Sequence, residues 1–324
     1  MELPGALKAA VERELERTPL GDLQRAAATL SQRYRAETRD GRMHLDADLA
    51  VKAYLATRLP ATYAAVRSSL EAVAEALPDF APITLLDVGA GPGTALWAVA
   101  DCWASLRSAR LLEASMEART VGAQLSKQLP SIQADWQSAD VSLGVDQIDH
   151  ADLVTMAYVL DELDPKSIPP LVSRLWSLAT TLIIVEPGTS AGWRRILGVR
   201  QQLIEAGANI VAPCPHAQPC PLLEPDWCHF ARRLARSRLH RLAKGGDAPF
   251  EDEKYIFTAA TRLPVAARPA RVLAPPRQSK GRIEFKLCQP DSRSEEVLVS
   301  KRDGDAYRVA RRLGWGDAFD PVSS

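Results

Sequence analysis

Neither sign of charge is in excess. Forty Lys plus Arg face forty Asp plus Glu over 324 residues, which excludes a globally basic nucleic-acid coat and a globally acidic tail, and confines any nucleic-acid surface to a local patch. Long apolar runs are missing as well. None approaches the roughly 20 residues of a membrane span, so no membrane is expected among the partners. Cysteine is scarce and odd in number, at five; that is too few for a disulfide scaffold, and points to a reducing compartment with thiols free for metal binding or catalysis. The opening Met1-Glu2-Leu3-Pro4 has no basic stretch followed by an apolar one, and Glu12, Glu14 and Glu16 argue against an organelle presequence, so the expected location is cytoplasmic. What is present is ordinary, 46% hydrophobic and 25% charged residues, which is enough to build a core and, at this length, two domains or one with an appendage.

Along the chain three regions are expected. Residues 1–80 read as helical, because Leu7, Val11, Leu15 and then Leu20, Leu23, Ala27, Leu30 recur at three- and four-residue steps, and the pattern resumes from Tyr54 to Leu77 after a break at Pro60. This region either packs on the next one or grips a partner. From 81 to 206 the pattern becomes α/β. The run Ile83 to Val88 enters Gly89-Ala90-Gly91-Pro92-Gly93 and then an apolar helix from Thr94, and further apolar runs follow at Ala109–Leu112, Ala151–Met156 and Thr181–Val185. Alternating strands and helices predict a doubly wound sheet with its ligand at the carboxyl ends of the strands. Polar sequence from Ser138 to Asp149 reads as a loop. From 207 to 324 the pattern gives way to a Pro- and Cys-rich stretch, a basic segment, two β-like runs at Gly281–Cys288 and Glu295–Arg302, and a last helical piece at Ala306–Leu313.

The loop Asp87-Val88-Gly89-Ala90-Gly91-Pro92-Gly93 has the G-x-G-x-G form typical of S-adenosylmethionine-binding methyltransferases. Its glycines let the backbone approach a ligand, with Ala90 between them, and Asp87 sits where it can meet the amino-acid portion of the cofactor. Alone, such a loop also suits a dinucleotide. Three features favour the methyl donor. Glu113, 24 residues after Gly89, ends the second strand where a carboxylate can accept both ribose hydroxyls. Asp140 follows Trp136-Gln137-Ser138-Ala139, read as a loop in contact with adenine. Tyr158 to Leu163 closes the fourth strand, which makes Tyr158, Asp161 and Glu162 candidates for the substrate edge.

Cys214, Cys220, Cys228 and Cys288 form a second constellation, with five, seven and 59 residues between them. Four thiolates suit a tetrahedral zinc or an iron–sulfur cluster, and the spacing does not choose between them. His216 and His229 are possible substitutes for one ligand. Buried thiols without a ligand remain an alternative, as does a nucleophile attacking a pyrimidine base, since Pro213-Cys214 and Pro219-Cys220 carry the proline-cysteine dipeptide such enzymes use. Cys102 reads as packing. The last signal is charge. From Cys228 to Arg282 there are 13 Lys plus Arg and 4 Asp plus Glu. Arg232, Arg233, Arg236, Arg238, Arg241 and Lys244 fall within thirteen residues, which on a helix would form a cationic band for phosphates or a solvated face.

In their order along the chain these segments resemble the mitochondrial ribosomal small-subunit methyltransferase-like proteins and their bacterial homologues. The marks are Tyr54-Leu55-Ala56-Thr57-Arg58-Leu59-Pro60, the glycine loop, Glu186-Pro187-Gly188-Thr189, Ala212-Pro213-Cys214-Pro215-His216, Asp226-Trp227-Cys228-His229-Phe230, Glu251-Asp252-Glu253-Lys254-Tyr255, and Ala310 to Asp317. The resemblance implies a Rossmann-like methyltransferase sheet with a helical N-terminal region and a Cys-rich, metal-binding, partly β C-terminal extension. It also implies work with small-subunit rRNA, and with ribosomal proteins, during assembly, and a [4Fe–4S] cluster on the four cysteines. An Asn-Pro-Pro-Tyr motif is missing after the fourth strand, where Tyr158-Val159-Leu160-Asp161 stands instead. The rival expectation is a non-catalytic rRNA-binding assembly factor with a structural four-cysteine site.

Overall fold

The computed structural model describes residues 1–36, 43–141 and 148–319. Four helices come first: α1 (Gly5–Leu15), α2 (Leu20–Ala36), α3 (Asp48–Thr57) and α4 (Leu59–Ala76). Their buried stripes follow the helical period. Leu7, Val11 and Leu15 are buried on α1, and Leu23, Ala27 and Leu30 on α2. Pro60 does not interrupt a helix; it occupies the first turn of α4, where its missing N–H costs nothing.

The main sheet begins with β1 (Thr84–Val88), α5 (Thr94–Cys102), β2 (Ser108–Glu113), α6 (Met116–Ser126) and β3 (Gln133–Ser138). It continues through β4 (Ala151–Ala157), α7 (Ile168–Ser177), β5 (Ala179–Pro187) and α8 (Ser190–Glu205). These five strands are parallel in the order β3-β2-β1-β4-β5. β4 and β5 are apolar and buried almost throughout, the pattern of strands covered on both faces. The connections begin with local signals. Ser115 caps α6 by accepting from the Ala118 N–H, and Thr189 caps α8 by accepting from the Gly192 N–H.

Three strands from beyond residue 207 complete this sheet, which the sequence pattern does not reveal. They are β6 (Asn209–Ala212), β7 (Phe230–Ala235) and β8 (Phe250–Thr261), with α9 (Arg238–Lys244) between the last two. β8 runs antiparallel to β5, and its other edge is shared, with β7 along Phe250–Tyr255 and β6 along Ala259–Thr261. The result is a doubly wound, Rossmann-like sheet, here mixed. Its strand order reverses between β1 and β4, the point at which such sheets take ligands.

A second sheet of five strands follows: β9 (Ala270–Val272), β10 (Arg277–Ser279), β11 (Arg282–Cys288), β12 (Ser294–Ser300) and β13 (Ala318–Phe319), with α10 (Gly304–Ala310). It has its own small core around Val272, Phe285, Leu287 and Phe319. One expectation is corrected. Trp136-Gln137-Ser138 is not a loop but the end of β3, paired with Leu111 to Glu113, because Trp136 packs its ring against Gly93 and Gly122. Of the polar loop from Ser138 to Asp149, residues 142–147 lie outside the described residues.

Candidate functional site

At the carboxyl ends of β1, β2 and β4 lies a cavity of about 1250 Å³, its mouth included, lined among others by Asp87, Gly89, Ala90, Gly91, Glu113, Asp140, Tyr158 and Glu162. The glycine loop makes this end of it. Gly89 and Gly91 both have positive φ. A Cβ on Gly89 would come within 2.4 Å of Val159 Cγ2, so only glycine fits, while at Gly91 the space is open. Gly93 serves the fold rather than the cavity wall, since it begins α5 at φ 85° and lies under Trp136.

Asp87 is 1% exposed. The Thr155 hydroxyl donates to its Oδ1 at 2.7 Å, whereas the buried Oδ2 has no hydrogen-bond partner. Burial, with help from Glu113, pushes its carboxyl up to about 7. Glu113 fastens the loop, since its Oε2 accepts from the Gly91 N–H and its Oε1 from the Ser115 N–H, each at 2.8 Å. Burial raises Glu113 too, against the pull of those N–H groups. An unpaired buried acceptor close in the chain to Gly89, where there is no room for a side chain, fits a cationic amino-acid moiety. The remaining lone pairs of Glu113 fit a ribose diol. The donor set therefore suits S-adenosylmethionine.

The cavity wall also holds residues from the N-terminal helical region, Tyr34, His44 and Tyr54; the Tyr54 hydroxyl lies 3.0 Å from Thr94 Oγ1 at the start of α5. Tyr34 and His44 meet edge to face at 4.7 Å, and His44 Nδ1 lies 3.2 Å from Glu162 Oε1. Tyr158 sits at φ 58°, a strained setting for a non-glycine residue, and its hydroxyl donates to Glu253 Oε1 at 2.8 Å. Arg58 pairs with the same carboxylate at 3.1 Å and lies over the rings of both Tyr34 and Tyr158. Burial opposes the charge on Arg58, yet Glu253 and the two tyrosines raise its pKa overall. Asp161 departs from expectation. It is 2% exposed, does not line the cavity and lies against Glu186, which accepts from the Leu160 N–H and from Arg195 Nε. Arg58, Glu186 and Glu253 stand inside the segments that carry the family resemblance. For Tyr34 and His44 the sequence offers no comparable signal.

The four cysteines also converge, although elsewhere. Cys214, Cys220, Cys228 and Cys288 line one apolar cavity between α8, β8 and the second sheet, none of them in a disulfide. Burial raises the Cys228 thiol well above its ordinary range, and the three other thiols add to this. Cys288 is pushed up to about 12, by burial first and then by Cys214 and Cys220. His216 joins them, its Nε2 3.3 Å from Cys288 Sγ, while His229 is held between Trp227 and Trp315. Among the described residues no three His, Cys, Asp or Glu side chains are gathered tightly enough to hold a metal ion. The expected metal-binding extension is thus found as four thiols around a common space, not as a closed coordination site. Two buried arginines fix the cysteine loop. Arg200 donates to the His216 and Gln218 carbonyls and Arg271 to those of Pro213 and Gly316. Arg200 Nε, and Nε and Nη1 of Arg268, are buried without partners, and Cys214 lies in the field of Arg268 and Arg271. Spare cationic donors around thiols suit an anionic thiolate group. The pyrimidine-nucleophile alternative is not supported, because neither Cys214 nor Cys220 lines the cavity of the glycine loop.

The cationic helix is corrected as well. Arg232 and Arg233 lie on strand β7 and Arg236 in the turn after it; only Arg238, Arg241 and Lys244 are on α9. The reason is the pairing of β7 with the acidic start of β8, opposing Arg232 to Glu253 and Arg233 to Asp252. Arg233 is ion-paired with Asp252, Arg236 and Lys244 share Glu251, and Arg232 reaches Glu71 at 3.6 Å. Among the described residues Arg238 and Arg241 have no ion pair.

Known proteins are similar to this chain in sequence. The chain is 29% identical to the human ribosome assembly protein METTL17, mitochondrial, over 82% of its own length and 61% of that protein. It is 24% identical to the Schizosaccharomyces pombe Rsm22-cox11 tandem protein 2, mitochondrial, over 93% of its length and 47% of the relative. It thus spans about half the length of the curated relatives it matches. Among solved structures, magnesium protoporphyrin IX methyltransferase from Synechocystis PCC 6803 with bound SAH overlays at a TM-score of 0.42 and 17% identity, covering 72% of this chain and 94% of that one. Residues 48–320 match the family described as mitochondrial small ribosomal subunit Rsm22. With that match over most of its length, the chain belongs to the Rsm22 family.

Proposed function

We propose that this chain is an S-adenosylmethionine-dependent, methyltransferase-like protein that works with small-subunit rRNA during ribosome assembly and carries a [4Fe–4S] cluster on Cys214, Cys220, Cys228 and Cys288. The observation that carries the cofactor reading is the unpaired, buried Oδ2 of Asp87 in the same cavity as Glu113 and the side-chain-free Gly89. Asp87 would hold the methionyl ammonium, Glu113 the ribose hydroxyls, and Gly89, Ala90 and Gly91 the close backbone approach. Asp140, also on the wall of the cavity, would meet the adenine side. The assembly reading is supported by the family and by the name of the human relative. Of the six cations in the basic run, Arg238 and Arg241 are the two without an ion pair among the described residues, and they would meet phosphate.

The cluster reading is supported by four thiols on one cavity and by the spare donors of Arg200 and Arg268 beside them. A single zinc needs its ligands around one point, whereas a four-iron cluster takes a thiolate at each of four separate corners, so the spread of these thiols favours the cluster. When bound, it would supply a covalent tie between the loop 214–228 and β11. The proposed compartment is the cytoplasm, which cell fractionation tests.

Three measurements test the proposal. Calorimetry should show S-adenosylmethionine binding that Gly91→Asp abolishes by placing a carboxylate in the open space at that position; unchanged affinity removes the pocket assignment. Labelled methyl incorporation into immature small subunits should be lost in the same variant. Cofactor binding without any transfer would leave a non-catalytic assembly factor. Anaerobically purified protein should contain about four irons and absorb broadly near roughly 400 nm; one zinc in their place would make the site purely structural.

A further inference from the structure

We propose that Glu162 and His44 act as a pair that accepts the proton released by the methyl acceptor, and that the acceptor is an amino nitrogen on a flat heterocycle of the nucleobase class. This rests on the methyl-transfer reading above and adds to it the chemistry of the acceptor end.

Asp87 and Glu113 are assigned above to the cofactor; Tyr34, His44, Tyr158 and Glu162 are further residues of the cavity wall. Of the groups there able to take a proton, the Tyr158 hydroxyl is committed to Glu253 and is itself pushed far above the ordinary phenol range, first by burial and then by that carboxylate. Asp161 is out of reach behind the wall, against Glu186. Glu162 remains. Its side chain is 34% exposed, opening to the cavity, and one oxygen lies 3.2 Å from Nδ1 of His44, which is only 3% exposed. A carboxylate backed by a buried imidazole is a common arrangement for moving a proton, because each partner holds the other in orientation and shares the charge.

The surroundings tune the pair. Around Glu162 stand His44, Asp161, Glu113, Glu186, Tyr34 and Arg33. Burial first, and then the three neighbouring carboxylates, push it up to about 8 against the opposing pull of Arg33. A carboxylate in that range holds a proton far better than a free one, which is what a base working near neutral pH needs. The walls set the shape of the acceptor. Arg58 lies 5.6 Å from the centre of the Tyr34 ring and 5.8 Å from that of Tyr158, fixing both, and His44 is held edge-on against Tyr34. Immobile aromatic walls favour a flat ring over a flexible chain.

The step balances. The acceptor nitrogen's lone pair forms the N–C bond to the methyl group as the C–S bond breaks, and the pair from that bond neutralises the sulfonium. The nitrogen then carries one proton too many. That proton passes to the Glu162 carboxylate, is shared with His44, and leaves to water when the product departs.

The experiment is single-turnover transfer of labelled methyl to immature small subunits between pH 6 and 9, with S-adenosylmethionine affinity measured alongside. Glu162→Gln should bind the cofactor within about twofold of the wild type and transfer about a hundredfold or more slowly. The wild-type rate should rise through about pH 8 to a plateau, and this limb should vanish in the variant. His44→Asn should slow transfer about tenfold and shift the limb, which keeps the idea testable if Glu162→Gln folds poorly. Wild-type rate and pH profile in both variants would overturn the role of the pair while leaving the enzyme reading intact. Methylation found on carbon or on a ribose oxygen would overturn the acceptor class. A wild-type protein that binds the cofactor but transfers nothing would overturn the enzyme reading and this role together.

Discussion

The cavity of the glycine loop has a mixed polar and apolar lining and is walled in part by the ends of neighbouring parallel strands; the cysteine cavity is apolar, walled by α8, β8 and a second sheet. Their titratable groups differ accordingly. In the first, burial and mutual repulsion raise carboxyl groups into the neutral range, with Asp87 at about 7 and Glu162 at about 8. In the second, burial and mutual repulsion hold thiols in the protonated form, and buried arginines stand ready for negative charge. On the function proposed above, the first cavity would take a charged small molecule reversibly, and the second would exchange its thiol protons for a permanently held group that joins parts of the chain far apart in sequence.

If the two are separable, damage to one should spare the other. Gly89→Ala forces a Cβ to within 2.4 Å of Val159 and strains a positive φ. It should weaken S-adenosylmethionine a thousandfold or more by calorimetry, about 4 kcal/mol, with iron content unchanged; joint loss would mean that the cavities are not independent. Cys228→Ser tests the reverse. It should lose most of the bound iron and sulfide and lower the thermal midpoint by several degrees, with cofactor affinity altered less than about twofold.

The raised carboxyl groups sharpen the comparison through pH. In the folded chain Asp87 keeps its proton up to about pH 7, whereas an unfolded aspartate releases it near 4. Between those values the unfolded state binds fewer protons, so this residue's contribution to stability is fully present below about pH 4 and is lost as pH rises to about 7. The expected loss is on the order of 2–4 kcal/mol, and Asp87→Asn should flatten the slope in urea titrations of the cofactor-free chain. Glu253→Gln leaves Arg58 without its full partner and frees Tyr158; about 1–2 kcal/mol of stability should go, and a value near zero would show the network to be ornamental. The smallest effects concern RNA. Replacing Arg238 or Arg241 by Ala should each lower the salt slope of rRNA binding by about one, whereas Arg233→Ala, whose charge is already paired with Asp252, should leave the slope unchanged.

Legibility followed sequence distance. The glycine loop and Glu113 were readable because their roles depend on local backbone geometry and on the end of one strand. The four cysteines could be named as a set, yet not located, because 59 residues separate Cys288 from Cys228 and it reaches the others only through β9 and β11. The cationic helix was misjudged since a run of arginines carries no sign of the strand opposite, and it was the Glu251-Asp252-Glu253 edge of β8 that drew Arg232 and Arg233 into a sheet.

By itself the sequence determined the helical entry, the alternation of strands and helices from Thr84, the glycine loop and the family resemblance, all of which rest on periodicity and short-range φ/ψ demands. Only the tertiary structure decided that β6, β7 and β8 finish the main sheet, that His44 meets Glu162, that Arg58 and Glu253 pin Tyr158, and which arginines remain unpaired. Those are contacts between segments tens to hundreds of residues apart. Which of them form depends on the burial and charge balance of the whole fold, and no local pattern encodes that.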